Sequence, residues 1–187
     1  RGIPTGVVAA ADDLEIAGKV QDLFMNQRFR VYTSDDKIGT EICAALKNII
    51  ALCAGCCDGM GYGDNTKALL MTRGLAEMAR LGVALGGRKD TFTGLAGVGD
   101  SMHSRNRRCG ILIGQGKPVD EAVKEIGAVV EGYYAAANAR TLAQKAGVEM
   151  PIAQAAYEVL YEGRDVHAVI TDLMQRAKRS ERDESYL

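Results

Sequence analysis

The sequence predicts a mainly α-helical chain preceded by a small β-α-β piece of an α/β sheet. Three observations predict it. Strand-like runs occur only before Asp36, as TGVVAAA (Thr5 to Ala11) and RFRVYTS (Arg28 to Ser34). One amphipathic helical pattern lies between them. After Asp36 the strand signal disappears, and the chain reads as successive helices punctuated by residues such as Gly82, Gly147 and Pro151. The expected boundary divides residues 1–34 from an all-helical region over 35–187.

Each element has a local reason. The first helix, DDLEIAGKVQDLF, takes Asp12 or Asp13 as its cap and sets Leu14, Ala17, Val20 and Phe24 on one face. Two strands and one helix bury too little to stand alone, so this piece needs a larger partner. A long helix is expected from about Lys37 to Cys57, followed by the glycine turn DGMGYGDN. A second runs from about Asn65 to Leu81, with Asp64 as cap, Gly82 as stop and an Arg73–Glu77 pair four residues apart. GGRKDTFTGLAGVGD is glycine-rich and reads as a loop. Further helices are expected at about Ser104 to Gly114, Val119 to Ile126, Val130 to Ala146, Ile152 to Tyr161 and Val166 to Arg179. A polar tail, SERDESYL, closes the chain.

Composition narrows the function classes. An apolar fraction of 47% and a charged fraction of 25% suit an ordinary soluble globular protein. The net charge of -1 creates no global field for nucleic acid or an anionic membrane, so anion binding must come from a local cluster. Aromatics are few and Trp is absent, which argues against base-stacking platforms. The longest apolar run is interrupted by Lys47 and Asn48 and reads as short of a membrane span. No signal-peptide pattern opens the chain, and RGIPTGVVAAADD reads as the inside of a domain. Five cysteines are present, three as C-x-x-C-C at Cys53, Cys56 and Cys57. With no second Cys/His pair near them they read as buried packing rather than a metal site, and their odd number suits a reducing compartment, the cytoplasm.

Four stretches could carry chemistry. Lys47 is the only charge between Glu41 and Asp58, and its helical neighbours Cys43, Ala44, Ile50 and Ala51 include no acid. Three roles are open to it: snorkelling outward, pairing with a carboxylate from another helix, or lining a cleft as an acid/base. Asn48 beside it supplies a neutral donor and acceptor. In GLAGVGDSMHSRNRRCG, Asp100 ends a glycine-rich loop, and Ser104, Arg105, Asn106, Arg107 and Arg108 open a helix. A hydroxyl, an amide, guanidiniums and free N–H groups at a helix start suit a phosphate, and arginines there oppose the helix dipole unless an anion is present. GMGYGDNTKALL has glycines spaced G-x-G-x-G after a helix, so it is a helix-joining loop and not a dinucleotide fingerprint. Glu131, in AVVEGYYAAANA, reads by itself as a helix-start carboxylate. His103 and His167 read as incidental.

Together, IGTEICAALKNIIALCAGCCDGMGYGDNTKALLMTRGLAEMARLG, TFTGLAGVGD, SRNRRCG and VVEGYYAAANA with AGVEMPI resemble the C-terminal part of the NAD(P)-dependent glycerol-3-phosphate dehydrogenases of bacterial type. The resemblance extends over essentially the whole chain. It implies a Rossmann-type cofactor domain, of which residues 1–34 are the end, and a helical substrate domain over 35–187. It implies reversible hydride transfer between dihydroxyacetone phosphate and sn-glycerol 3-phosphate, in service of glycerophospholipid synthesis. Lys47 matches the proton acceptor; Lys47, Asn48, Asp100, Ser104, Arg105 and Asn106 match substrate-binding positions. Arg105, Val129 and Glu131 match positions near the NAD or NADP cofactor, and no metal is required. A small phosphorylated substrate, a homodimer, a cytoplasmic location, no nucleic acid and no membrane span complete the expectation.

Two points qualify the match. The glycine fingerprint of the cofactor domain and a second active-site lysine are absent, so the chain by itself is expected to be inactive. The family also carries several more residues between its GD and SRNRR motifs, including a threonine-containing run. The expectation is that a segment is missing and that Asp100 and Ser101 are not natural neighbours. The competing readings are a related hydroxyacid dehydrogenase, or a helical module that only dimerises.

Overall fold

A computed structural model describes residues 2–98 and 104–178. The site residue Asp100, its junction with Ser101, and His103 therefore lie outside the described residues, as does the SERDESYL tail. Strand β1 (Thr5–Ala10) pairs in parallel with β2 (Phe29–Ser34), Thr5 opposite Phe29 and Ala10 opposite Ser34. Helix α1 (Leu14–Phe24) makes the crossover, and Asp13 is its cap, accepting from the Glu15 N–H at 2.8 Å. Of the four apolar residues expected on one face of α1, only Ala17 is buried; Leu14, Val20 and Phe24 are exposed.

Nine helices follow among the described residues. Helix α2 (Lys37–Gly59) is the axis of the helical body, and α3 (Asp64–Ala84), α6 (Arg105–Gly114) and α8 (Glu131–Ala146) pack around it. Short α4 (Lys89–Thr93) and α5 (Leu95–Val98) come next after α3, where a loop was expected. The glycines in that segment serve packing: a Cβ at Gly97 would meet the Phe92 carbonyl oxygen at 2.0 Å. Helices α7 (Val119–Ile126), α9 (Pro151–Glu162) and α10 (Val166–Met174) complete the body.

Two helix ends differ from expectation. Helix α3 is capped by Gly63, whereas Asp64 is its first residue and pairs with Lys67 at 2.8 Å. It also runs through Gly82, whose missing side chain admits Phe92: a Cβ there would lie 1.8 Å from the ring. By length and composition alone, α2 is apolar enough to cross a membrane, contrary to the reading of its sequence as too short. Half of its most apolar window is buried inside the protein, as befits a core helix.

The α2–α6 contact is built from absent side chains. Gly55 and Gly59 on α2 face Gly110 and Gly114 on α6. A Cβ at Gly55 would lie 2.1 Å from the Arg107 carbonyl oxygen, one at Gly110 2.0 Å from that of Leu52, and one at Gly114 2.3 Å from that of Cys56. Backbone thus meets backbone, closer than side chains normally permit. Cys43, Leu46, Ile49, Leu52, Cys56 and Cys109 fill the core beside this seam.

Candidate active site

Helix α2 begins at Asp36, a buried carboxylate with three donors. Its Oδ1 accepts from the Gly39 N–H at 2.8 Å, and its Oδ2 accepts from the Arg88 N–H at 2.8 Å and the Thr91 hydroxyl at 2.6 Å. Burial would raise the Asp36 carboxyl, but these hydrogen bonds and the Arg88 charge outweigh it and hold the group low. Asp36 therefore ties α2 to α4 and so directs α5 back across α2 beside Lys47.

Lys47 is half-buried and has no ion pair or side-chain hydrogen bond among the described residues. It lines a cleft of about 510 Å³ between β1 and the helical body, together with Thr5 to Val8, Thr40, Ala44, Leu95 and Ala96. It also borders a small cavity with Ile50, Leu75, Met78 and Val98. Of the three roles open to it, pairing with a carboxylate from another helix is not the one seen among the described residues.

Asn48 and Asn106 form an amide ladder. Asn48 Nδ2 donates to the Ala44 carbonyl at 3.0 Å, and Asn106 Nδ2 donates to Asn48 Oδ1 at 2.9 Å. Asn106 Oδ1 accepts from the Gly132 N–H at 2.8 Å. Asn106 is 2% exposed, so its amide joins α2, α6 and α8 from inside. A Cβ at Gly132 would come 2.5 Å from the Asn48 carbonyl oxygen, which explains the glycine after Glu131.

Ser104 caps α6, its hydroxyl accepting from the Arg107 N–H at 3.2 Å. Two of the three arginines that oppose the α6 dipole find carboxylates within the chain. Arg105 pairs with Glu131, at the start of α8, at 2.5 Å; both side chains are nearly half exposed. Arg107 turns to Asp58 at 2.7 Å, and Asp58 also takes Lys67 at 3.0 Å. Burial pushes the Asp58 carboxyl up, but Arg107 and Lys67 more than reverse it. Arg105 and Arg108 are left exposed at the helix start.

On the other side of Ala44, a groove of about 740 Å³ runs between α2 and α8. Ala44, Ala45, Asn48, Val129, Glu131 and Tyr134 are among its walls. Lys47, Asn48, Ser104, Arg105, Asn106, Val129 and Glu131 are thus gathered around the middle of α2 and the starts of α6 and α8. The cysteines stand apart from this chemistry. All five are free thiols; burial pushes Cys43 and Cys56 up to about 12 and Cys109 to about 11. No cluster of three or more metal-ligating side chains occurs among the described residues.

Residues 36–171 match the family model described as the NAD-dependent glycerol-3-phosphate dehydrogenase C-terminus. The chain belongs to this family. A glycerol-3-phosphate dehydrogenase [NAD(P)+] of Clostridium perfringens is 57% identical, across 97% of this chain and 56% of that protein. One of Moorella thermoacetica is 54% identical with the same coverage. Among solved structures, glycerol-3-phosphate dehydrogenase from Coxiella burnetii superposes with a TM-score of 0.89 at 40% identity, over 94% of this chain and 56% of that one. The yeast enzyme gives 0.81 at 25% identity, over 94% and 55%. The family member described here thus spans little more than half the length of these relatives.

Two buried carboxylates had roles that the sequence reading did not assign. Asp36 marked only where the strand signal ends, although an acid just before a long apolar helix is the pattern of the N-cap it proves to be. Glu77 was expected to pair with Arg73 on a helix surface. It is instead buried, and its carboxylate accepts from the N–H groups of Ile152, at 2.8 and 3.0 Å, and Ala153, at 3.3 Å. Helix α9, which has no side-chain cap of its own from Met150, is capped by α3.

Proposed function

We propose that this chain is the substrate-binding part of an NAD(P)-dependent sn-glycerol-3-phosphate dehydrogenase, acting on a small phosphorylated substrate to supply glycerophospholipid precursor. Residues 1–34 are the end of the cofactor domain and residues 35–187 the helical substrate domain. The observation that carries the reading is Lys47: a half-buried amine, facing a cleft, free of any acid among the described residues, and one residue from an amide ladder that leads to an arginine-bearing helix start.

The chemistry follows from those groups. In oxidation, Lys47 Nζ as the neutral amine takes the proton of the substrate's secondary hydroxyl; in reduction, the ammonium returns it. No carboxylate among the described residues pairs with Nζ. Ser104, Arg105 and the first-turn N–H groups of α6 hold the phosphate. Asn48 faces the substrate from the groove wall, while Asn106 keeps α6 and α2 in place behind it. Asp100 is assigned to orienting the substrate hydroxyls or Lys47. The α2–α8 groove suits part of a dinucleotide: Ala44, Ala45 and Val129 offer a flat apolar wall and Glu131 an acceptor for ribose hydroxyls, with Arg105 paired to Glu131 beside it. When bound, the nicotinamide supplies the hydride transfer. A cytoplasmic homodimer is part of this reading. The phosphate-suited start of α6 favours it over a dehydrogenase of unphosphorylated hydroxyacids.

In the intact protein, cofactor domain included, Lys47→Ala should lower kcat by about 10²- to 10⁴-fold, the usual range for losing a general acid–base. Arg105→Ala should chiefly raise KM for dihydroxyacetone phosphate. Normal steady-state kinetics in both variants would remove the assignment. Residues 1–187 alone should show no turnover of dihydroxyacetone phosphate with reduced cofactor.

A further inference from the structure

We infer that the Arg105–Glu131 ion pair is an exchangeable latch that couples phosphate binding to cofactor binding. The inference rests on the site reading proposed above. The starts of α6 and α8 are joined by two bonds of opposite character. One is the hydrogen bond from the Gly132 N–H to Asn106 Oδ1, held by a residue only 2% exposed. Gly132 is further pressed against the Asn48 carbonyl, so neither solvent nor ligand reaches this bond. The other bond, one residue earlier on both helices, joins Arg105 to Glu131, with side chains 48% and 41% exposed. The buried bond keeps the two helix starts at constant spacing, and the exposed one is free to exchange.

Each ligand favours the state that the other needs. A phosphate monoester can take two guanidinium N–H groups together with first-turn N–H groups of α6, an offer that the single Glu131 contact does not match. When Arg105 leaves, Glu131 keeps a favourable position at the start of α8 and turns its oxygens to the groove that Val129 and Ala44 also line. There it can accept from a hydroxyl of the cofactor. Conversely, a hydroxyl on Glu131 weakens its hold on Arg105 and readies the guanidinium for phosphate. Such coupling is reciprocal by thermodynamic linkage.

The test is calorimetric titration of inorganic phosphate into the intact protein, with and without saturating oxidised cofactor. An exposed pair limits the effect to about two- to fivefold. Wild type should bind phosphate that much more tightly when the cofactor is present. Glu131→Gln should bind phosphate more tightly than wild type without cofactor and gain nothing further from it. Mere removal of a negative charge would also tighten phosphate but leave the cofactor's effect intact, so unchanged coupling in Glu131→Gln would overturn the latch. Arg105→Ala separates the two levels: if phosphate still binds that variant normally, the phosphate site itself is misplaced.

Discussion

The β-α-β piece and the helical body treat their apolar residues in opposite ways. In the first, the strands pair in register and α1 crosses over as parallel strands require, yet Ile3, Leu14, Ile16, Leu23 and Phe24 remain exposed. Among its described residues only Ala17 and Val31 are buried. In the body, Cys43, Leu46, Ile49, Leu52, Met78, Leu81 and Phe92 are each at most 4% exposed. Both regions form regular secondary structure, whereas only the body buries its apolar side chains. The difference teaches that the stability of this chain resides in the body, and that the sheet piece presents an open apolar surface. The cleft lined by Lys47 lies where the two meet.

The strongest challenge to this contrast falls on the glycine seam. Gly110→Ala would set a methyl carbon 2.0 Å from the Leu52 carbonyl oxygen, where backbone must yield on both helices. A loss of about 3 kcal/mol is expected, at the upper end of overpacking costs. Urea denaturation should show a lower midpoint with little change in slope. An unchanged midpoint would mean that the seam is not where the body's rigidity lies.

A loss similar in size but conditional on pH is expected at Glu77. Burial pushes its carboxyl up to about 7, against about 4.5 when unfolded, although the Ile152 and Ala153 N–H groups and nearby Arg80 and Arg176 pull the other way. The folded chain therefore holds this proton more tightly than the unfolded one. The stability linked to it is fully present below about pH 4.5 and is lost as pH rises through about 7, on the order of 3 kcal/mol in all. Melting temperatures of wild type and Glu77→Gln across that window should converge at low pH and separate at high pH, with the variant the more stable above pH 7. Parallel curves would show that Glu77 does not titrate there.

The smallest effect sharpens the contrast from the other side. Leu23, at 76% exposed, gains little from folding in this chain, so Leu23→Ser should change its stability by at most about 0.5 kcal/mol. A drop of several times that amount, read from the same denaturation curves, would show that α1 is covered already.

These contrasts also mark what the sequence could reveal. The long helix around Lys47, the helix start near Ser104 and the β-α-β order rest on local patterns and were legible. So was Lys47 as an amine without a neighbouring acid, because helical spacing shows the neighbours directly. Other features depend on partners far along the chain. Gly82 reads as a helix stop until Phe92 is seen to fill its notch. Glu77 reads as half of a surface pair until Ile152 and Ala153 are placed over it. Asn106 reads as a ligand-facing amide, and only the third dimension shows it bonded between Asn48 and Gly132. The four seam glycines, spaced four apart on each helix, were a signal in the sequence that could have been read.

That seam has one further consequence. Side chains in an ordinary helix contact can change rotamer and let the helices slip; a contact made of backbone has nothing to rearrange. Lys47 rides on one of the two joined helices and Arg105 on the other. The separation of their backbones is therefore set by main-chain geometry, like the jaws of a locked calliper. On the site reading proposed above, it gauges the span from hydroxyl to phosphate. On that reading, a substrate one carbon longer or shorter must be met by the Lys47 and Arg105 side chains alone, because the helices that carry them do not shift.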